Sequence, residues 1–319
     1  MIYSKLIEGV YLSTVVNLKD RFEESFRFAN HFLRFRNPEE ISDPSKIRFA
    51  LAWEPENDAF AKYPNIEMVS SIGAGVDNII RCSSLSNDTI VTRVCDHNQA
   101  HEIAEFAVWQ VIWYHRNMRQ YFTNESNHKW HWVDRIPVRD CMVGILGYGF
   151  MGQSVAKALV ALGFPVIAAC RTVRNNCDNF DVILMSGPNS IRNTAERSNI
   201  LINLLPLTTE THHILDADLF RVMPKASVLI QMGRGEHLVE KDLIEALDNG
   251  KLSAATIDVF CKEPLPPEHQ YWDDPRIMVT PHDASESSIS AVAQQVTSCV
   301  YDLARGIVPR FAIDRRNGY

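Results

Sequence analysis

Residues 141–171 constrain the fold more than any other part of the chain. They contain a short apolar run, the glycines Gly147, Gly149 and Gly152, an apolar helical pattern, and a second apolar run at Val166–Cys170. A short apolar run bounded by glycine is typical of a buried strand. The order strand, glycine turn, helix, strand therefore predicts one βαβ unit.

The three glycines have the spacing G-x-G-x-x-G between strand and helix, which indicates a dinucleotide-binding turn. Gly147 permits the tight turn, Gly149 lets a pyrophosphate approach the backbone, and Gly152 lets the helix pack closely on the strand. The helix N-terminus adds N–H groups and the positive end of a helix dipole. An ordinary βα turn with incidental glycines is the alternative. We expect cofactor contacts from the glycines and from Phe150 and Met151 between them.

The length and composition favour a soluble protein of two domains. A chain of 319 residues is too long for one ordinary core. Its content of 46% hydrophobic and 22% charged residues is that of a globular protein. The net charge of -7 and the pI of about 5.9 argue against a nucleic-acid partner, which usually calls for a basic face.

The cysteines and the N-terminus indicate where such a protein resides. The seven cysteines include no C-x-x-C pair, so they suggest neither a disulfide framework nor a zinc knuckle. The chain starts without the basic and apolar runs of a signal peptide. No apolar run approaches the ~20 residues that span a bilayer. We expect a reduced, cytoplasmic protein with no membrane partner and no metal.

Alternating strand and helix patterns along the chain predict doubly wound parallel sheets, an α/β fold. Residues 1–98 form one α/β domain in this interpretation, and the dinucleotide-binding domain covers 99–284. Outside the βαβ unit, the predicted strands are 10–16, 47–53, 66–72, 89–94, 181–185, 200–205, 227–231 and 254–259. The predicted helices are 20–32, 99–119, 189–197, 216–222, 239–248 and 285–305.

Three shorter features have two interpretations each. The predicted strand 66–72 ends at Gly73-Ala-Gly75, whose successive backbone N–H groups favour an anion, although an ordinary loop has the same composition. His97 and His101 have a spacing that can hold zinc, but no third ligand of the right type lies nearby in the sequence. A pair on the surface or at the end of a helix is the other interpretation. Residues 121–137, which include Trp130 and Trp132, predict a long connection or arm of the kind that lies at interfaces.

The residues after the second strand of the βαβ unit distinguish NAD from NADP. An acidic residue there binds the ribose 2′-hydroxyl, whereas arginine accommodates a 2′-phosphate. The sequence has Arg171, Thr172 and Arg174 in this place and no carboxylate. Because guanidinium groups match phosphate geometry, we predict that NADP(H) is preferred and NAD(H) possible. Solvated surface arginines are the alternative.

Three residues follow later strands, where ligands of such sheets bind. They are Arg234, Glu263 and His282. Reduction of a 2-oxo acid needs a cation to bind the carboxylate and polarise the carbonyl, an acid to protonate the oxygen, and a carboxylate to hold that acid. Arg234, His282 and Glu263 fit these roles in that order. A solvated loop charge at 263 and a helix-entry histidine at 282 are the alternatives.

The motifs between Val143 and His282 resemble the D-isomer-specific 2-hydroxyacid dehydrogenase family, and within it the glyoxylate/hydroxypyruvate reductase A branch. They are GILGYGFMG, LINLLP, GRG, LIEALDNGK, IDVFCKEPLPPE and TPH, in that order. The earlier IGAGVD and the terminal RNGY also match this branch.

The resemblance implies two Rossmann-like domains, with a flavodoxin-like substrate domain of residues 1–98 completed by 285–319. It implies that Arg234, Glu263 and His282 are catalytic and that the protein is a homodimer, for which the 121–137 arm is a candidate contact. Substrate contacts would come from Ala74, Gly75, Val76 and Trp53. Further cofactor contacts would come from Leu205, Pro206, Met232 and Asp258.

Some positions depart from the family pattern. Met232 precedes the turn, Gly233 stands where alanine is common, and Asp283 adds a carboxylate after the histidine. The first ~70 residues resemble the family weakly, which leaves the substrate side chain open. A related dehydrogenase for a larger acid and a non-catalytic dinucleotide-sensing corepressor are the competing functions.

Overall fold

The computed structural model describes residues 6–172, 181–315 and 318. The strands are β1 (Ile7–Ser13), β2 (Leu33–Arg36), β3 (Ile47–Trp53), β4 (Met68–Ser71), β5 (Ile90–Thr92), β6 (Val143–Leu146), β7 (Val166–Cys170), β8 (Val182–Ser186), β9 (Ile200–Asn203), β10 (Ser227–Gln231), β11 (Leu252–Ile257) and β12 (Ile277–Val279). The helices are α1 (Leu18–Phe22), α2 (Asp77–Ile80), α3 (His97–His115), α4 (Met118–Ser126), α5 (Phe150–Ala161), α6 (Ser190–Glu196), α7 (Ala217–Val222), α8 (Glu240–Asp248) and α9 (Ile289–Ala304).

These elements form two units. The first unit comprises Met1–Gln99 with Glu286–Tyr319, and the second comprises Ala100–Ser285. Each is built on a sheet whose paired strands all run parallel, as alternating strands and helices require. The predicted fold class, two doubly wound parallel-sheet domains, is confirmed.

In the described part of the first unit, five strands lie in the order β2-β1-β3-β4-β5. This is the flavodoxin-like order. Helix α9 packs one face of the sheet through Val292, Val296 and Val300, and its N-terminus is capped by the Ser288 side chain. Val10, Val69 and other apolar side chains fill the opposite face. Strands buried on both faces read as continuous apolar runs, which is why β3 was predictable.

The first unit differs from the sequence-based prediction at two places. The predicted helix 20–32 is a short helix, α1, followed by a 3-10 helix at Glu24–Ala29. The strand β2 was not predicted. Its residues alternate between buried and exposed, as expected of a sheet edge, and four residues of this kind give a weak signal next to a helical pattern.

Within the described residues, the second unit contains seven strands in the order β12-β11-β10-β9-β6-β7-β8. This is the dinucleotide-binding order, with the switch point between β6 and β9 and one additional strand, β12. The register places Leu146 beside Asn203, Asn203 beside Gln231, and Gln231 beside Ile257. The residues that follow these four strands therefore leave the sheet on the same side, at the carboxyl ends of the strands; this side is called the sheet edge of the site below.

The second unit also corrects the prediction near residue 117. Helix α3 ends at His115 and Asn117 adopts a left-handed conformation, with φ of 53°. Helix α4 follows in the region predicted as an arm. Asparagine is one of the few side chains that adopt this conformation readily, so the break carries no glycine or proline signal. The strand β12, three residues at the sheet edge, was also missed.

The cysteines of the described residues are all free thiols. Cys141 and Cys170, predicted as small buried residues of the core strands, are 2% and 8% exposed. Burial raises the pKa of the Cys141 thiol to about 11, which makes it unreactive at neutral pH. Among the residues described, no helix has both the length and the apolar character that crossing a bilayer requires.

Candidate active site

The glycine turn links β6 to α5 at the switch point of the second sheet. Gly147 has a φ of +100°, and a Cβ there would lie 2.8 Å from the Leu204 carbonyl oxygen. A Cβ on Gly152 would collide with the Gly147 carbonyl. Both glycines are therefore required by the turn itself, as the fingerprint predicts.

Gly149 has a different reason for being glycine. It is the N-cap of α5 and lends the helix no side-chain cap. Among the described residues, no heavy atom lies within 4 Å of a Cβ built on it. With no side chain at this N-cap, a phosphate would have room to approach the N-terminus of the helix. The residues present fit a dinucleotide pyrophosphate.

The position after β7 is occupied by Arg171 and Thr172, both exposed. Arg174, the third residue predicted to contact the cofactor here, lies outside the described residues. Exposure leaves the two described side chains accessible to a ligand at the strand end. The prediction that they bind a 2′-phosphate stays a prediction.

The Arg234 backbone is held by a buried polar network. Its N–H donates to His237 Nδ1 at 3.0 Å, and its carbonyl oxygen accepts from Gln231 Nε2 at 2.7 Å. The guanidinium Nη1 donates to the Gly233 carbonyl at 2.8 Å. Asn203 Nδ2 donates to both Gln231 Oε1 and His237 Nδ1. The polar side chains of this network are fully buried, so each group needs its partner.

Glu263 lies on the loop that follows β11. Its Oε1 accepts from the Phe260 N–H at 2.9 Å, and its peptide bond to Pro264 is cis. The loop passes directly over Gly235, where a Cβ would collide with the backbone of Phe260 and Cys261. A glycine in the Arg234 turn thus permits the loop that carries Glu263 to lie against that turn.

His282 follows β12, and Asp258 shapes its loop. The Asp258 carboxylate accepts from Thr280 Oγ1 at 2.6 Å, from the Asp283 N–H at 3.0 Å and from the Ala284 N–H at 3.2 Å. His282 itself has a φ of +55°. A non-glycine residue in this conformation persists only where its surroundings hold it, and such residues concentrate at functional sites.

His282 and Glu263 form the pair predicted for acid catalysis. His282 Nδ1 lies 2.9 Å from Glu263 Oε2, and the side chains are 39% and 37% exposed. Burial alone would raise the pKa of Glu263, but the hydrogen bonds from His282 and the Phe260 N–H, with the charge of Arg234, lower it overall. The carboxylate is ionised at neutral pH. Because Nδ1–H donates to it, Nε2 is the ring nitrogen placed to exchange a proton.

Burial has the opposite outcome at Asp258. This carboxyl group is 1% exposed, and burial raises its pKa although the hydrogen bonds from Thr280, Asp283 and Ala284 oppose the shift. Both oxygens are already used within the 280–284 loop. The geometry therefore supports an orienting role toward His282. The predicted cofactor contact of Asp258 stays a prediction.

The remaining predicted cofactor residues lie along the same sheet edge. Leu205 and Pro206 follow β9 and are half-buried, whereas Met232 follows β10 and is buried in the core. Phe150 and Met151 begin α5. The register of β6, β9 and β10 thus brings all five positions to one edge, and their contacts with a cofactor stay predictions.

The predicted substrate residues lie in the first unit. After β4, Ser71 Oγ donates to the Gly75 carbonyl at 2.7 Å and accepts from the Gly73 N–H at 3.1 Å. Trp53 packs close to Gly73, since a Cβ there would lie 3.3 Å from the indole. The Val76 side chain is buried. The turn is ordered, and the substrate role of Ala74, Gly75, Val76 and Trp53 stays a prediction.

The network beneath Arg234 was not predicted from the sequence. Asn203 lies inside the predicted strand 200–205 and Gln231 ends the predicted strand 227–231, so both count there as ordinary strand residues. His237 follows Arg234 by three positions, in the 3-10 helix Gly235–His237. In the sequence, a polar residue at the end of an apolar run is the feature that indicates such a network. Within 6–172, 181–315 and 318, no three potential metal ligands come together.

Comparison with known proteins places this site in a family. Residues 108–284 match the family described as D-isomer specific 2-hydroxyacid dehydrogenase, NAD binding domain. The chain is 34% identical over 288 residues to glyoxylate/hydroxypyruvate reductase A of Serratia proteamaculans, covering 87% of this chain and 89% of that protein.

Solved structures are similar over the whole length. A D-isomer specific 2-hydroxyacid dehydrogenase from Xanthobacter autotrophicus, in complex with NADPH and MES, has a TM-score of 0.91 and 29% identity over 99% of this chain and 100% of that one. An NADPH-dependent glyoxylate/hydroxypyruvate reductase from Sinorhizobium meliloti, in complex with NADP and sulfate, has a TM-score of 0.88 and 30% identity, covering 98% of this chain and 99% of that one.

Proposed function

The chain belongs to the D-isomer specific 2-hydroxyacid dehydrogenase family, and from this premise we propose that it uses NADPH to reduce glyoxylate, hydroxypyruvate or a similar small 2-oxo acid to the 2-hydroxy acid. Membership makes it an NAD(P)-dependent oxidoreductase. The observation that carries the proposal is the 2.9 Å contact between His282 Nδ1 and Glu263 Oε2, on the sheet edge that also bears Arg234. A proton donor, its carboxylate partner and a guanidinium are the groups that carbonyl reduction requires.

Each group has a defined part in the reaction. Arg234 binds the substrate carboxylate and polarises the carbonyl, which lowers the barrier to attack on its carbon. A bound reduced nicotinamide supplies the hydride to that carbon. His282 Nε2–H gives its proton to the carbonyl oxygen as the C=O π electrons move there. Glu263, ionised and bonded to Nδ1, stabilises the imidazolium before transfer and holds the ring in place.

Turnover with alanine variants tests these assignments. Oxidation of NADPH followed at 340 nm should detect activity with glyoxylate, and Arg234→Ala and His282→Ala should each lose roughly 10³–10⁴-fold in kcat/KM. His269, whose Nε2 lies 3.2 Å from Glu240 Oε2, has no part in the proposed reaction and offers the control His269→Ala. Normal turnover in either Arg234→Ala or His282→Ala would refute the assignment.

For the cofactor, we propose a preference for NADP(H) over NAD(H). Arg171 and Thr172 stand exposed after β7, where an acidic residue would favour NAD. Two solved relatives are described as complexes with NADPH or NADP, which supports the same preference. The glycine turn and the α5 N-terminus would hold the pyrophosphate.

The ratio of kcat/KM for NADPH to that for NADH measures this preference. Arg171→Ala should lower the ratio by roughly tenfold or more, because a charged hydrogen bond contributes about 1.5–3 kcal/mol. Arg139, a highly exposed arginine beside Asp140, gives the control Arg139→Ala. A wild-type enzyme that prefers NADH would overturn the proposal.

The first unit is proposed to be the substrate domain. The turn at Gly73–Gly75 follows strand β4, and turns with successive backbone N–H groups bind anions. Because the Gly73 N–H is bonded to Ser71 Oγ, the N–H groups of Ala74 and Gly75 are the candidates for the substrate carboxylate. Gly75→Pro removes one N–H group and should raise KM for the 2-oxo acid more than KM for NADPH. An unchanged KM for the acid would show that this turn has another role.

We also propose that the protein is a homodimer formed through the second unit. Large apolar side chains are exposed on α3, α4 and the segment that follows: Trp109 is 45% exposed, Phe122 53%, Trp132 80% and Trp130 96%. Exposed apolar surface marks interaction sites where it is contiguous, and these four side chains are the candidates for such a surface. The double variant Trp130→Ser, Trp132→Ser should be monomeric by light scattering, and a wild-type monomer would refute the proposal.

A cytoplasmic location is the last part of the proposal. Six free thiols, in the part of the chain that the structure describes, suit a reducing compartment. Fractionation of cells that express the tagged protein would test it, and recovery outside the cytoplasm would contradict it.

A further inference from the structure

Three polar side chains lie beneath the Arg234 turn and are used by none of the proposed chemical steps. Asn203, Gln231 and His237 are each 0% exposed. Burial of a polar group is costly unless its hydrogen bonds are made. Three buried polar side chains together at the carboxyl ends of apolar strands therefore need an explanation. His237 is the member whose ring joins two loops, since it contacts the Arg234 N–H and the Pro206 carbonyl.

The contacts at the two ring nitrogens of His237 differ in kind. Nδ1 lies 3.0 Å from the Arg234 N–H and 3.0 Å from Asn203 Nδ2, both of which are donors. Nε2 lies 3.2 Å from the Pro206 carbonyl oxygen, which only accepts. The surroundings therefore select the tautomer that has hydrogen on Nε2 and a lone pair on Nδ1.

The two loops joined by this ring carry different functions in the proposed enzyme. Arg234 is the proposed binder of the substrate carboxylate, and Pro206 is a predicted cofactor contact after β9. A single imidazole thus fixes the backbone at a substrate-binding residue and the backbone at a cofactor-binding residue. Its neighbour Leu238 is tied to Leu215 by an isolated β-bridge, and the His237 carbonyl accepts from the Leu215 N–H at 2.8 Å, so the backbone at the ring is held as well.

Gly233 shows how closely the turn lies on this ring. A Cβ at that position would be 2.8 Å from His237 Nδ1 and 2.7 Å from Asn203 Nδ2. Real side chains do not approach this closely, so the Gly233–Arg234 backbone rests directly against the imidazole. A shift of the ring would be transmitted to Arg234.

We propose that His237 is a positioning residue, which sets Arg234 for the 2-oxo acid through Nδ1 and the Pro206 loop for the cofactor through Nε2. This inference rests on the proposed function. Under this proposal, loss of the Nδ1 contact affects the acid and loss of the Nε2 contact affects the cofactor. A residue that only filled space would show no such difference between its two nitrogens. Rigid support of this kind matters because a displacement of about 1 Å at a substrate-binding group can cost roughly 100-fold in rate.

Two matched variants separate the nitrogens. Asparagine places its side-chain oxygen where Nδ1 lies and cannot reach Pro206, whereas glutamine reaches the Nε2 position and leaves Nδ1 without a substitute. His237→Gln should lose roughly 100-fold in kcat/KM for the acid, with Kd for NADPH within about twofold of wild type. His237→Asn should raise Kd for NADPH by roughly two- to tenfold and keep KM for the acid near wild type. Kd is measured by NADPH fluorescence without substrate.

His269→Asn and His269→Gln are the controls, and both should keep wild-type constants. Equal losses for both ligands in both His237 variants would overturn the proposal, and so would wild-type acid kinetics in His237→Gln. Should the variants fail to fold, ¹⁵N NMR of the wild-type imidazoles decides, because the proposal requires hydrogen on Nε2 of His237 and none on Nδ1. If the wild-type protein turns over no 2-oxo acid, the proposed function fails, while NADPH affinity and the NMR tautomer still test the role of the ring.

Discussion

Gly235 offers the sharpest test of how the site is assembled. It follows Arg234 and lies against the loop that carries Glu263, and a Cβ there would collide with backbone atoms of Phe260 and Cys261. Backbone cannot rotate aside as a flexible side chain can. In Gly235→Ala the loop must therefore move away from the turn, and Glu263 moves with it.

The size of the effect follows from the crowding. Forcing a methyl group into a packed interior costs about 1–3 kcal/mol, which lowers Tm by roughly 2–12 °C for a domain of 150–250 residues. The loss of catalytic activity should be easier to detect than the loss of stability. A loop shift of about 1 Å separates Glu263 from His282 and should lower kcat/KM by roughly 100-fold.

Gly250 provides the matched control. It follows α8 with a φ of +69°, and within the described ranges no heavy atom lies within 4 Å of a Cβ built there. Gly250→Ala should destabilise by about 1 kcal/mol through its backbone conformation alone and leave kcat/KM unchanged. Both variants are compared by thermal unfolding and NADPH oxidation. Wild-type kcat/KM in Gly235→Ala would refute the reasoning that this contact places Glu263.

Other contacts of the site have equally definite consequences. Asp258→Ala leaves three donors of the 280–284 loop without their acceptor, so urea unfolding should show a loss of at least ~1–3 kcal/mol and turnover should fall; wild-type activity would contradict this. Because the pKa of Glu263 is lowered, the stability that its ionised form contributes is present above the usual glutamate pKa and is lost as pH falls through the folded-state value. The difference in unfolding free energy between wild type and Glu263→Gln should thus be below ~1 kcal/mol at pH 7, because the pair is exposed. This difference should shrink below about pH 4.3, and a difference that grows on acidification would contradict the lowered pKa. Gly147→Ala meets both an unfavourable φ and the Leu204 carbonyl, so NADPH fluorescence should show loss of binding; retained affinity would argue against the turn.

The βαβ unit was predictable because its signals are local. Strand β7 coincides with the second apolar run, and α5 begins directly after Gly149. Buried parallel strands are continuous apolar runs, Gly147 is required by its positive φ, and Gly152 by its contact with Gly147 inside the unit. The further contact of Gly147 with Leu204 lies outside the unit, but the motif is recognisable without it.

The errors lie where local pattern is weak. Strands β2 and β12 are short and lie at sheet edges, where only pairing with a neighbour decides that they are strands. The break between α3 and α4 depends on one left-handed asparagine, Asn117. None of these carries the periodicity from which longer elements are recognised.

The site divides in the same way. Arg234, Glu263 and His282 were named from the chemistry that a 2-oxo acid requires, but their arrangement depends on strand register. The pairing of Glu263 with His282 joins residues on separate loops, and the register of β11 and β12 places those loops side by side. Asp258 was expected to touch the cofactor, and only the structure shows its carboxylate bonded within the 280–284 loop.

Gly233 illustrates what the structure adds to a departure from a family pattern. Alanine is common there in the family, and the sequence alone offers no reason for its absence. In the structure, the space that an alanine methyl would need is taken by the ring of His237 and the amide of Asn203. The glycine and the two buried polar groups are therefore one feature. The polar network beneath Arg234 and the glycine before it belong together, because a methyl group at position 233 would force the imidazole of His237 and the amide of Asn203 to shift.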